Sequence, residues 1–102
     1  MAIIAETKRE REILESVTEV LKNELNPQCI YLFGSRVKGT SGRYSDFDIW
    51  VDCMEPGFEV KKGLLEKIEK ISGLYTVDVV FNNNDTEFNN IVKQTGVKVY
   101  EK

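Results

Sequence analysis

The sequence predicts a layered fold of helices and strands, α+β or α/β, with elements in the order αββαβαβ. Three observations lead there. Residues 7–24 and 58–72 carry apolar residues at helical spacing. Residues 28–33, 46–53 and 74–81 are short apolar runs with the β-branched and aromatic content of strands. Short connections rich in Gly, Pro and Asn separate them, with no repeat, low-complexity tract or linker. At 102 residues the chain is expected to form one domain, residues 1–102, around one core.

The first helix opens on Thr7 with Glu10 three residues later, the pattern of a capping box. Ile13, Val17, Val20, Leu21 and Leu25 make its apolar stripe, and Asn26-Pro27 ends it. Gln28 to Phe33 reads as a buried strand. Gly34-Ser35 follows directly; a short helical turn is expected over residues 35–37, then a loop over 39–42. The second strand runs from Asp46 to Cys53, and Met54 to Gly57 turns the chain. Val60, Leu64, Leu65, Ile68 and Ile71 face one side of the second helix, which Gly73 terminates. In the third strand, Leu74 to Phe81, residues Tyr75, Val77, Val79 and Phe81 share one face; Thr76, Asp78 and Val80 share the other. Asp85 is placed to cap a last helix over 86–95 that carries Phe88, Ile91 and Val92. Gly96 ends that helix, and residues 97–100 read as a final strand.

Composition narrows the function. Hydrophobic residues at 41% and charged residues at 30% suit a folded soluble chain. No apolar run is long enough to span a bilayer, and the N-terminus lacks a signal-peptide pattern, so a cytoplasmic location is expected. A net charge of −3 does not favour non-specific nucleic-acid binding, and no direct nucleic-acid partner is expected. Cys29 and Cys53 fall in apolar strands and read as core thiols. The chain has no histidine, so acid–base chemistry falls to carboxylates, Lys, Tyr, Cys or a metal-bound group.

The stretch from Gly34 to Asp52 concentrates the chemistry. Asp46 and Asp48 alternate with Phe47, Ile49 and Val51, so both carboxylates point the same way from one strand, about 6–7 Å apart along it. Carboxylates held that close repel unless a cation or proton lies between them. Asp78 is the one charged residue inside the third strand, among Val77, Val79 and Val80. Burying it alone is costly, which favours a position beside Asp46 and Asp48. Three carboxylates suit Mg²⁺, a hard cation that shares its shell with substrate phosphates, and two such ions can clamp an in-line phosphoryl displacement. Gly34-Ser35 offers backbone N–H groups and a hydroxyl to phosphate, and Arg36 or Lys38 can neutralise its charge. The plainer readings are a solvated aspartate pair, an Asp78–Arg36 ion pair, and Lys38 and Arg43 as solvated loop charges. Asp52 shares the parity of Asp48 but lies about 13 Å further along; it is assigned to the surface or a strand end.

The spacing Gly34-Ser35, ten residues, Asp46-Phe47-Asp48, with Asp78 in VDVVF, resembles the DNA polymerase beta-like nucleotidyltransferase superfamily. In length and texture, GSRVKGTSGRYSDFDIWV and the ending IVKQTGVKVYEK look like its minimal nucleotidyltransferases. The resemblance covers the chain from about Gln28 onward. It implies an α+β fold: a mixed sheet of about four strands with helices packed on one face. It implies transfer of a nucleoside monophosphate, with ATP the expected donor and pyrophosphate leaving. Asp46 and Asp48 would hold both Mg²⁺ ions. Asp78 would ligate the catalytic ion and help deprotonate the attacking hydroxyl. Gly34 and Ser35 would hold the triphosphate, with Arg36, Lys38 and Ser45 as further nucleotide-binding candidates.

No stretch of the sequence reads as an acceptor-binding domain. In the minimal family that part is often a separate helical protein of the HEPN type. Several such pairs are toxin and antitoxin, the transferase adding AMP to a tyrosine of the toxin. The expected partner is therefore a HEPN-type protein, in a hetero-oligomer or beside a homodimer. The alternatives are an aminoglycoside-type small-molecule nucleotidyltransferase that needs a separate substrate-binding subunit, and an inactive binding subunit.

Overall fold

The computed structural model describes residues 7–34, 46–82 and 85–102. Helix α1, Lys8–Leu25, begins at the predicted cap: Thr7 Oγ1 accepts from Glu10 N at 3.1 Å, and Glu10 Oε1 accepts from Thr7 N at 3.2 Å. Two orphan backbone donors at the helix start are satisfied together. Asn26 closes the helix in the left-handed region at φ 49°, its N–H donating to Lys22 O. Strand β1 is Cys29–Phe33 and strand β2 is Phe47–Met54. Helix α2, Phe58–Ser72, ends at Gly73, whose φ of 62° suits a residue without a Cβ. Strand β3 is Val77–Asn82. Helix α3, Thr86–Thr95, starts at Asp85, whose Oδ1 accepts from Phe88 N at 3.0 Å. Strand β4 is Val97–Glu101.

The four strands form one mixed sheet in the order β3-β2-β1-β4. β1 is antiparallel to both β2 and β4, while β2 and β3 run parallel. The parallel pair is joined through α2, as a parallel connection requires a crossover. β2 is thus central, with β3 at an edge.

Strand alternation sorts the apolar residues onto two faces. Ile30, Leu32, Phe47, Ile49, Val51 and Phe81 pack with Ile13, Val17 and Leu21 of α1 and Leu64 and Ile68 of α2. Burying a side chain of this size is worth about 1.5–3 kcal/mol, so this layer carries most of the stabilisation. On the opposite face, Cys29 and Trp50 pack with Val92 of α3, flanked by Tyr31, Phe33, Val80 and Phe88. The expectation of helices on one face therefore holds for α1 and α2, whereas α3 covers the other. Its physical reason is Trp50: fully buried, it needs an apolar cover and a partner for its ring N–H, and α3 supplies Phe88, Val92 and Asn89.

Both cysteines are free. Cys29 is buried and Cys53 half-buried, in keeping with their reading as core thiols. Among the described residues, no helix is long and apolar enough to cross a membrane.

Candidate active site

The site is built on the face of β2 turned away from α1 and α2. Asp48 lies in β2 between the buried Phe47 and Ile49, so its side chain leaves the sheet on the opposite side. Its Cα partner across the parallel pair is Asp78 of β3. Neighbouring strands lie about 4.8 Å apart, which sets two carboxylates side by side on one face. Asp46 immediately precedes β2 and is exposed, as is Asp78.

Asp48 feels this crowding. Its carboxyl is held above the usual carboxylate range, first by burial, then by the negative charges of Asp78 and Asp46. On the other side, Asp48 is the Cα partner of Phe33 in β1, and Gly34 follows Phe33. Gly34 has φ 85°, and a Cβ there would overlap Asp48 Oδ2 and lie 3.1 Å from Asp48 Cγ. The backbone at Gly34 and the Asp48 carboxylate are thus in close approach, which only glycine allows.

The donor set fits a hard divalent cation. Among the described residues, no three Asp, Glu, Cys or His side chains close into a ready ligand group. Mg²⁺ does not ask for one; it is commonly held by one or two carboxylates, with water and substrate phosphates completing the shell. The crowded Asp48–Asp78 pair, with Asp46 near enough to raise Asp48, supplies oxygen donors whose repulsion a cation would relieve. The other nucleotide-binding candidates, Ser35, Arg36, Lys38 and Ser45, and the turn expected over 35–37, lie outside the described residues.

Sequence reasoning missed a polar chain further along the same face. Trp50 Nε1 donates to Asn89 Oδ1 at 3.1 Å, Asn89 Nδ2 to Asn82 Oδ1 at 2.9 Å, and Asn82 Nδ2 to Asp52 Oδ1 at 2.6 Å. Cys29 Sγ donates to Asp52 Oδ2 at 3.6 Å. Asp52 is half-buried in this chain rather than a free surface charge. The signal for this polar chain in the sequence is Asn82, a polar residue at the end of a valine-rich strand. The chain ties α3 to the sheet beside the carboxylates.

The crowding gives a stability prediction. With no metal present, Asp48→Asn should raise Tm by a few degrees at neutral pH, each kcal/mol being worth about 4–8 °C at this chain size. The pH dependence has a definite sign. Because the folded-state pKa of Asp48 is raised, the native state binds its proton more tightly than the unfolded state does. Stability should therefore fall as pH rises from the ordinary carboxylate pKa through the raised value, and level off above it. Thermal unfolding in a chelator between acid and neutral pH measures this, and the asparagine variant should lose that component. A lower Tm for Asp48→Asn would contradict it.

Comparisons with known proteins bear on the family of the chain. The family model described as Polymerase beta, Nucleotidyltransferase matches residues 15–102. The chain is 28% identical over 104 residues to a probable protein adenylyltransferase, MntA, of Haemophilus influenzae, spanning 100% of this chain and 91% of that one. Among solved structures it is similar to a toxin–antitoxin with AMP-PNP, at a TM-score of 0.70 and 26% identity, over 86% of this chain and 73% of that chain. It is also similar to a variant of the toxin–antitoxin MntA–HpeT, at a TM-score of 0.67 and 25% identity, over 87% of this chain and 72% of that chain. The family match takes in all four strands, the Gly34 turn and the aspartates on β2 and β3, and with it the chain belongs to the polymerase beta nucleotidyltransferase family, as a minimal nucleotidyltransferase.

Proposed function

We propose that this nucleotidyltransferase transfers AMP from ATP to a tyrosine hydroxyl of a paired HEPN-type toxin, and so acts as the antitoxin of the pair. The observation that carries the proposal is the in-register Asp48–Asp78 pair beside the close approach at Gly34. The likeness to MntA and to toxin–antitoxin structures, one with AMP-PNP, supports the choice of nucleotide and of a protein acceptor.

In this reading the acceptor oxygen attacks the α-phosphorus of ATP, and the bond to the pyrophosphate oxygen breaks. Asp78, exposed at an edge strand, takes the hydroxyl proton. Asp46 and Asp48 would hold two magnesium ions, with Asp78 as a further ligand of the catalytic one, and the metal would supply neutralisation of phosphate charge and alignment of the attacking and leaving oxygens. Gly34 admits the triphosphate close to the backbone, and Ser35, Arg36, Lys38 and Ser45 complete its binding. With no histidine in the chain, the carboxylates gathered at the site are the groups this reading assigns to acid–base work.

The test is mass spectrometry of the co-expressed partner after incubation with Mg²⁺ and each NTP in turn. ATP should add one AMP to a tyrosine, and the other NTPs should add little. A partner left unmodified under every condition would overturn the reading.

A further inference from the structure

One surface lies apart from the carboxylates. The outward stripe of α2 exposes Phe58 at 76% and Leu65 at 38%, and Leu74 just beyond the helix at 81%. Phe58, Lys62, Leu65 and Glu69 follow one another along it at intervals of four, three and four residues, so all four share one face. A shallow groove runs beside Phe58, Lys62, Leu65 and Glu69. It continues past Leu65 and Glu69 into a concavity of about 440 Å³ walled by Ile68, Ser72, Leu74 and Val77. An exposed aromatic knob therefore stands at one end of the stripe and an empty hollow at the other.

The stripe is complementary to itself. Phe58 and Gly73 are equally distant in sequence from the midpoint between Leu65 and Glu66, and so are Lys62 and Glu69. A two-fold axis through that midpoint sets α2 antiparallel to a copy of itself. It then brings each knob over the other copy's hollow, about 11 Å from the axis at the helical rise of 1.5 Å per residue. The same operation pairs Lys62 with Glu69 of the partner subunit, twice by symmetry. Lys61, the neighbouring cation, is held away by its ion pair with Glu55 at 3.1 Å.

We propose that this face binds a second copy of the chain, through an isologous α2–α2 contact with Phe58 seated between Leu65 and Leu74 of the partner subunit. The contact is built from α2 and the segment that leads from it into β3, and none of Asp46, Asp48 and Asp78 lines it, so it does not depend on the proposed reaction.

Sedimentation equilibrium of the full chain, without any other protein, tests it. The wild type should show a concentration-dependent dimer. Lys62→Glu and Glu69→Lys should each weaken it about tenfold or more, because symmetry turns one reversal into two like-charge pairs. Combining the two reversals restores opposite charges and should recover the wild-type constant. Phe58→Asp should leave a monomer, with an unchanged far-ultraviolet circular dichroism spectrum. A wild-type chain that stays monomeric, because the face serves a different protein or none, would overturn the proposal. So would a dimer indifferent to both reversals, or a double reversal no better than the singles.

Discussion

Asp48→Asn should lower kcat/KM for nucleotidyl transfer by well over 100-fold, and Asp46→Asn should do the same. The size follows from the proposed role of both carboxylates as metal ligands. Losing a residue that merely supports a metal ligand costs about 10–100-fold, so losing a ligand should exceed that. Asparagine keeps the shape of aspartate and removes its charge. At position 48 that loss relieves the repulsion from Asp78 and Asp46, so the variant should be folded and somewhat more stable without metal. Rising stability with vanishing activity is a combination that general damage to the fold cannot produce. Asp78→Asn should separate differently. It should slow the chemical step more than it weakens ATP binding, since its proposed part is to take a proton. Turnover of labelled ATP with the partner present, alongside calorimetric ATP binding, measures both. An Asp48→Asn enzyme within tenfold of wild type would remove the carboxylate pair from the mechanism.

Most of the fold was legible because its signals are local. The capping box at Thr7 and Glu10 and the stop at Asn26-Pro27 bounded α1 to within a residue. The stripe over 58–72 and the glycine after it bounded α2. Where an edge was misplaced, a tertiary contact decided it. The third strand was expected from Leu74, but Tyr75 N donates to Ser72 O at 3.1 Å, closing a turn that leaves Leu74 in solvent and delays β3 to Val77. Which sheet face α3 would cover could not be read from Phe88 and Val92, since an apolar stripe states that it is buried and not against what. The polar chain from Trp50 to Asp52 was equally hidden, because Asn82 and Asp52 are 30 residues apart in sequence.

The carboxylate pair was half legible. Parity placed Asp48 away from the core, and the valines around Asp78 marked it as unusual. Side-by-side placement needed the parallel pairing of β2 with β3, a register that neither strand states alone. The close approach of Gly34 to Asp48 likewise arises only when β1 and β2 pair, so the sequence showed a glycine suited to phosphate and not its second constraint.

Gly34→Ala should therefore be damaging through two separable effects. The first is on stability. Gly34 sits at φ 85°, where a side chain costs roughly 1–2 kcal/mol. The second is on the site. The added methyl would occupy the position of Asp48 Oδ2, so either the turn or the carboxylate must move. β2 is a central strand paired on both sides, which makes the Asp48 side chain and the backbone at Gly34 the parts free to yield. A displacement of about 1 Å at a reacting centre can cost about 10²-fold in rate, and that is the loss expected in kcat/KM. Gly63→Ala is the matched control. Gly63 lies inside α2 with no atom within 4 Å of an added Cβ, so alanine there should stabilise by about 0.5–1 kcal/mol and leave transfer unchanged. Both variants are to be assayed well below their melting temperatures, so that a rate loss in Gly34→Ala reports geometry and not unfolding. An alanine at position 34 that lowers Tm yet keeps full transfer would show that the Asp48 carboxylate is not held in place by its contact with the turn.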